Sequence, residues 1–73
     1  MHMLIRNKSV EGNALVVQYI YGTANPYLGV VLIQTVSHAE ATALGTLPDE
    51  QLVERVKQEI GEELLADLQA AYA

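Results

Sequence analysis

Few residues of this chain are of a type and spacing that could do chemistry. His38 is the interior histidine, and Glu40 follows it two positions later. A His–Glu pair can act in general acid–base catalysis, but side chains at i and i+2 do not face each other on a helix. Ser37 and Glu40 also have the spacing of a helix capping box. We therefore expect a structural use for His38 and Glu40 and predict no catalytic residue.

Motifs for nucleophilic, phosphate-binding and metal sites are also missing. The chain has no Cys, which excludes disulfides and thiolate ligation of zinc. No Ser lies in a nucleophile-elbow pattern, and no Lys follows Gly22 and Gly29 to complete a phosphate-binding loop. His38 and the scattered acids lack a metal-ligand spacing. The sequence thus predicts no metal ion and no cofactor.

Two groups of residues could instead contact a partner protein. Asn25-Pro26-Tyr27 is a turn signal, and Tyr is a frequent interface anchor because it joins an apolar body to a polar tip. Acids in the last third of the chain could meet a basic protein. The plainer interpretations are a Tyr27 ring folded back over the sheet and a solvated helix face. The predicted partner-binding residues are Asn25, Tyr27, Glu54, Glu59, Glu62 and Glu63.

Composition divides the chain into two halves. Residues 1–36 hold nine of the twelve Val and Ile residues, whereas residues 37–73 hold seven of nine Ala and six of ten Leu. β-Branched residues favour strands, and Ala and Leu favour helices. We predict one α+β domain over residues 1–73. It has a three-stranded antiparallel meander (3–10, 14–21 and 28–36), a short helix (38–44) and a long amphipathic helix (47–71) on one sheet face.

The predicted long helix has Thr46 as its N-cap, by a second start signal at 46–49. Its apolar side chains recur every four residues, which indicates one buried stripe. Gly61 interrupts the pattern and allows three interpretations: close approach to the sheet, a kink, or a tolerated residue near solvent. The stripe comprises Leu52, Val56, Ile60, Leu64 and Leu68, flanked by Val53 and Leu65.

Charge is distributed unevenly. The net charge is −5, yet the 28 residues between Glu11 and Glu40 carry none. Four Lys and Arg residues against this net charge disfavour nucleic-acid binding. The longest apolar run, Tyr27 to Ile33, is too short to span a membrane, so a cytoplasmic protein without membrane contact is the simplest expectation.

The two central strands are apolar on both faces. If Tyr21 lies opposite Val30, one face holds Val16, Gln18, Ile20, Val31, Ile33 and Thr35. A register shift of one residue exchanges the sets but leaves both apolar. One helix covers one face, so this set is our predicted dimer or ligand face. Alternatively, the short helix and the chain ends cover it.

Pairing of the first strand is open between two alternatives. A two-residue turn places Arg6 beside Tyr19, where a cation–π contact could form, and a three-residue turn places Ile5 there.

These features favour a small non-enzymatic protein-interaction module that forms a homodimer. By analogy of size and charge it could be an adaptor, an inhibitor or an immunity or antitoxin-like protein. A partner subunit would also stabilise a chain of 8.0 kDa, which buries only about 60% of its surface on folding. The alternative is a small-molecule binder or simple enzyme with a pocket between sheet and helix near Tyr19, Tyr21, Tyr27 and His38.

Overall fold

The computed structural model describes residues 3–72. It confirms the predicted α+β fold, in which an antiparallel sheet of order β1-β2-β3 is followed by a short and a long helix. The elements are β1 (Met3–Glu11), β2 (Ala14–Tyr21), β3 (Tyr27–Gln34), α1 (His38–Gly45) and α2 (Asp49–Tyr72).

A two-residue turn at Gly12-Asn13 joins β1 to β2, because Glu11 lies opposite Ala14. Gly12 has a φ of 63° and Asn13 has no positive φ, which are the φ signs of a type II′ turn. The register then shifts between Ile5 and Asn7, so Arg6 forms a bulge. The turn length of the first alternative is confirmed, but the bulge places Ile5, not Arg6, opposite Tyr19.

The register of β2 with β3 differs from our supposition. Tyr21 lies opposite Tyr27, not Val30, because β3 begins directly after Pro26. The shift is three residues, an odd number, and it moves every β3 side chain to the other face. The predicted face is therefore wrong in its β3 members, Val31 and Ile33, which share a face with Tyr19 and Tyr21.

Both helices lie on the sheet face that carries the buried side chains of β2. Burial alternates along β2, with Leu15, Val17, Tyr19 and Tyr21 buried and the residues between them half-buried. A Cβ atom at Gly45, the last residue of α1, would lie 3.2 Å from Leu15 Cδ1. The short helix thus lies on the same sheet face as the long one. The alternative interpretation, in which the short helix covers the second face, is wrong. Core residues are Met3, Leu15, Val17, Tyr19, Tyr21, Ile33, Leu52, Val53, Val56 and Leu68.

Thr46 ends α1 and does not begin α2. Its hydroxyl donates to the Ala43 carbonyl oxygen at 2.6 Å, which satisfies an acceptor in the last turn of α1. The helix α2 begins two residues later than predicted, and the Pro48 carbonyl accepts its first bond, from Leu52 N at 3.0 Å. The predicted N-cap is wrong because the end of α1 and the start of α2 lie next to each other here, and the Thr46 hydroxyl bonds to α1.

Gly61 breaks α2 in its middle. Its φ of 87° and ψ of 163° are non-helical, in a region that only glycine adopts readily. A Cβ atom there would meet nothing within 4 Å, so the backbone conformation, not packing, requires glycine. Of the three interpretations of Gly61, the kink is the one confirmed. After the break Leu65 is half-buried and Leu68 is buried, while Leu64 is exposed, contrary to the four-residue pattern.

Candidate interaction surface

The sheet face that points away from the helices, which we term the open face, is apolar and exposed. On β3, Leu28, Val30 and Leu32 are 60%, 67% and 49% exposed, and Leu4 on β1 is 65% exposed. The open face comprises Leu4, Asn7, Ser9 and Glu11 of β1, Ala14, Val16, Gln18 and Ile20 of β2, and Leu28, Val30, Leu32 and Gln34 of β3.

The apolar part of the open face lies toward β3. The β1 side of the face is polar along Asn7, Ser9 and Glu11, which are all exposed. Gln18 of the central strand is the polar group nearest the middle, between Asn7 and Val30. The exposed patch is therefore centred on β2 and β3 rather than on the whole sheet.

Three of the six residues predicted for a dimer or ligand face lie on the open face: Val16, Gln18 and Ile20. Ile33 is fully buried under the helices, and Val31 is half-buried on the same side. Thr35 follows the end of β3, and its hydroxyl lies 2.5 Å from the Asn13 carbonyl oxygen and 2.8 Å from that of Ser37. It joins the hairpin to α1.

The β3 residues of the open face are those that the supposed register missed. They alternate along β3 with Val31 and Ile33, which lie on the helix-covered face. A register shift of one residue, which the sequence equally allowed, places the β3 residues on their correct faces. Proline cannot donate to a strand ladder, so a strand that starts right after Pro26 is the signal that favours the observed register.

Tyr27 packs into an aromatic cluster and does not extend from an exposed loop. Its ring centroid lies 6.3 Å from that of Tyr19 and 5.4 Å from that of Tyr72, and the side chain is half-buried. The interpretation of a ring folded back over the sheet therefore describes its position. Asn25, in contrast, is exposed in the segment between β2 and β3. A partner contact at either residue stays a prediction.

Tyr19 is the buried centre of that cluster. Burial raises the pKa of its hydroxyl above 10.0, and the neighbouring Tyr27 adds to the shift. A Cβ atom at Gly29, its partner on β3, would overlap the Tyr19 ring, so the ring occupies the space that a side chain would need. Glycine at this position is thus a packing requirement.

The predicted acidic residues are all exposed on α2. Glu54 is 3.4 Å from Lys57 Nζ, and Asp49 at the start of α2 is 3.8 Å from Lys8 Nζ of β1. Surface pairs of this kind contribute little stability. Exposure fits both a contact with a basic partner and a solvated helix face, so the contact of Glu54, Glu59, Glu62 and Glu63 stays a prediction.

His38 has a structural partner. Its Nδ1 lies 2.7 Å from the Gly12 carbonyl oxygen, and because a carbonyl only accepts, Nδ1 carries the proton. Ser37 Oγ accepts from Glu40 N at 3.1 Å, which confirms the predicted N-cap. Gly12 precedes β2, whereas Tyr19 and Tyr21 end it. The tyrosines and His38 therefore do not form the shared pocket that the ligand-binding alternative expected.

A groove of 580 Å³ does lie between sheet and helix, at another place. Its apolar wall comes from the start of β1 and from Val53, and its polar side chains are carboxylates alone. It is lined by Met3, Leu4, Ile5, Asp49, Glu50, Val53 and Glu54.

Within residues 3–72, no three side chains of His, Cys, Asp or Glu are grouped so that they could hold a metal ion. No helix in this part of the chain has the length and apolarity to cross a membrane. No protein-family model, curated protein or solved structure matches the chain.

Proposed function

We propose that this protein is a non-enzymatic protein-interaction module that forms a homodimer through its sheet. The exposure of Leu28, Val30 and Leu32 on the open face carries the proposal. Contiguous apolar patches on monomers seldom exceed a few hundred Å², and larger ones are commonly binding sites. Here the patch lies on a regular strand, and strands hold binding side chains more precisely than loops do.

The charge distribution favours a second copy as the occupant. Two chains of net charge −5 repel each other, but residues 12–39, which include β2 and β3, carry no formal charge. The acids of α2 lie behind the sheet, on its helix-covered side. Two copies that meet through β2 and β3 therefore bury apolar surface without burying a carboxylate, which would be costly.

The exposed acids of α2 give the dimer a second surface for a basic protein. Glu59, Glu62 and Glu63 have no salt bridge among those found for residues 3–72. Long-range attraction would act mainly on the rate of encounter and the choice of partner. An adaptor, an inhibitor or an immunity or antitoxin-like role fits this arrangement by analogy.

The alternative function, binding of a small molecule, has weaker support. The groove at Met3 and Val53 is apolar with a carboxylate rim, but a ligand site needs a few convergent polar groups that fix orientation. Here Asp49 and Glu54 already pair with lysines. The open face, where Leu28, Val30 and Leu32 are about half or more exposed, is the stronger candidate for a binding surface.

Light scattering coupled to size exclusion tests the dimer. We expect a mass of about 16 kDa, twice 8.0 kDa, at micromolar concentration. Val30→Lys places a charge in the centre of the apolar patch and should return the mass to that of one chain. Gln69→Lys, on the exposed surface of α2, changes the net charge equally and should stay dimeric. A wild-type mass of one chain would overturn the proposal.

A further inference from the structure

We infer that the second copy joins the sheet at β3, so that two β3 strands pair antiparallel and form one six-stranded sheet. The inference rests on the proposed self-association and specifies its geometry. It is carried by the difference between the two sheet edges, by the direction of the β3 backbone groups and by a comparison of exposure between β2 and β3.

The two edges of the sheet are not equivalent. The β1 edge has a bulge at Arg6 and the charged residues Arg6, Lys8 and Glu11, which are devices that protect an edge from pairing. The β3 edge pairs with β2 over eight positions without interruption. Its eight residues include no charge and no Pro. A long, regular and uncharged edge is a template for a further strand.

The N–H and C=O groups of successive β3 residues point alternately to β2 and to the free edge. One hydrogen bond shows which residues point to β2. Thr35 N donates to the Asn13 carbonyl oxygen at 2.9 Å, in the same register as the β2–β3 pairs. In an antiparallel ladder every second residue bonds to the same neighbour. The odd-numbered residues of β3 thus bond to β2, and the N–H and C=O groups of Leu28, Val30, Leu32 and Gln34 point to the free edge.

Exposure on the open face shows what a neighbouring strand does. Val16 and Ile20 of β2, which have a strand on both sides, are half-buried. Leu28 and Val30 of β3, which have a strand on one side only, are 60% and 67% exposed. A strand added at β3 would give them the surroundings of Val16 and Ile20. Edge pairing therefore reduces the exposure of these apolar side chains and satisfies backbone groups together.

A second β3 is the occupant that closes the assembly. Antiparallel pairing of a strand with its own copy has two-fold symmetry, so both free β3 edges are used and the assembly stops at two chains. The edges that remain exposed are the two β1 strands, which are protected by the bulge and the charges. An unrelated strand from another protein would satisfy β3 equally, and the experiment below distinguishes it because it uses the purified chain alone.

Amide hydrogen exchange measured by NMR on the purified dimer tests the geometry. Edge pairing predicts that the amides of Leu28, Val30, Leu32 and Gln34 exchange about tenfold or more slowly than in the Val30→Lys monomer. Face-to-face packing of two sheets leaves these groups without a bonding partner and predicts rapid exchange. A dimer with rapid exchange at these four amides overturns the inference and leaves the proposed dimer intact. A monomeric wild type overturns both.

A proline substitution gives a second test. The N–H of Val30 is not used by β2, so Val30→Pro removes an outward donor while the β2–β3 ladder keeps its bonds. We expect the mass of one chain together with an unchanged circular dichroism spectrum. The matched variant Val30→Thr keeps the N–H and the branched shape and should remain dimeric. A folded Val30→Pro dimer would overturn the inference. If this variant does not fold, the hydrogen-exchange measurement tests the edge pairing instead.

Discussion

Tyr19 and Gly29 show how single residues define the interior of this sheet. They lie opposite each other on β2 and β3, and the ring of the one fills the space left by the missing side chain of the other. Tyr27 and Tyr72 continue the stack toward the end of α2. The cluster buries a phenol whose pKa is raised above 10.0 because an ionised oxygen would lose its hydration there.

The raised pKa of Tyr19 predicts a loss of stability at high pH. In the unfolded chain Tyr19 releases its proton near pH 10, whereas in the folded protein it keeps the proton to a higher pH. The folded state then binds more protons, so the free energy of unfolding falls as the pH rises above about 10. Urea unfolding between pH 8 and 11 should show a shallower decline for Tyr19→Phe. A decline parallel to that of wild type would contradict this cause.

Residue types alone located the cap at Ser37, because a Ser three residues before a Glu carries its own chemical signal. Tyr27 carried no such signal. A tyrosine after Asn-Pro is compatible both with an exposed anchor for a partner and with a core residue that starts a strand. Only its ring contacts with Tyr19 and Tyr72 show that Tyr27 is the second. Substitution of Tyr27 would therefore disturb packing, so it is a poor probe of partner binding.

At the scale of elements, α2 is two helical segments joined by one extended residue. The apolar stripe through Val56, Ile60 and Leu64 keeps its four-residue spacing across Gly61 in the sequence, but in the structure only the first segment follows it. After Gly61 the stripe continues with Leu65, Leu68 and Tyr72, which reach the tyrosine cluster, and Leu64 faces solvent. The break turns the second segment onto β3.

Gly61→Ala should destabilise the protein by about 1–3 kcal/mol, because a side chain at a φ of 87° is strained. The alternative for the variant is a straight α2 that lifts Leu68 and Tyr72 off the sheet, and this also loses stability. Urea unfolding measures the free-energy difference, and tyrosine fluorescence reports the cluster.

Gly45→Ala is the matched control, since Gly45 has no positive φ and its new Cβ would contact only Leu15 Cδ1, at 3.2 Å. Its effect should stay within about 1 kcal/mol. A Gly61→Ala protein as stable as the control would show that the break is not required by the fold.

The helices and strands were predictable from composition and from turn and capping residues, but the strand register was not. A sheet with one wet face reveals its register through alternation. Here Val16 and Val17 are equally apolar, as are Val30 and Val31, so the pattern fits either face. The prediction of Thr46 as an N-cap was wrong for a related reason. Its hydroxyl lies between the end of α1 and the start of α2, and the sequence does not show which helix end it bonds to.

The molecule as a whole has the exposed surface of an ordinary monomer of its mass but little interior. It exposes 4601 Å², close to the roughly 4,500 Å² of a monomer of its mass and about 40% of the unfolded value. Its extents of 36, 20 and 17 Å describe a thin, elongated body, with one sheet layer and one helix layer. Such a body has little interior, so a second copy would add a large share of its stability.

Mass action then couples thermal stability to concentration. If folding and dimerisation are linked, a tenfold increase in concentration adds about 1.4 kcal/mol to the dimer, which raises the Tm by about 3–5 °C. Differential scanning calorimetry over a hundredfold concentration range measures this. Val30→Lys should melt at one temperature throughout the range, and a wild-type Tm that does not depend on concentration would argue against linked folding.

The order of elements along the chain has a consequence during synthesis. The sheet is complete at Gln34, whereas α2, which covers one of its faces, ends at Tyr72. At about 5–20 residues per second, a ribosome needs roughly 2–8 s to make the intervening segment. For that time the nascent sheet has two bare apolar faces and an open β3 edge. The newly made chain is therefore most prone to aggregation before its helices exist, and chaperone binding at this stage would act on β2 and β3.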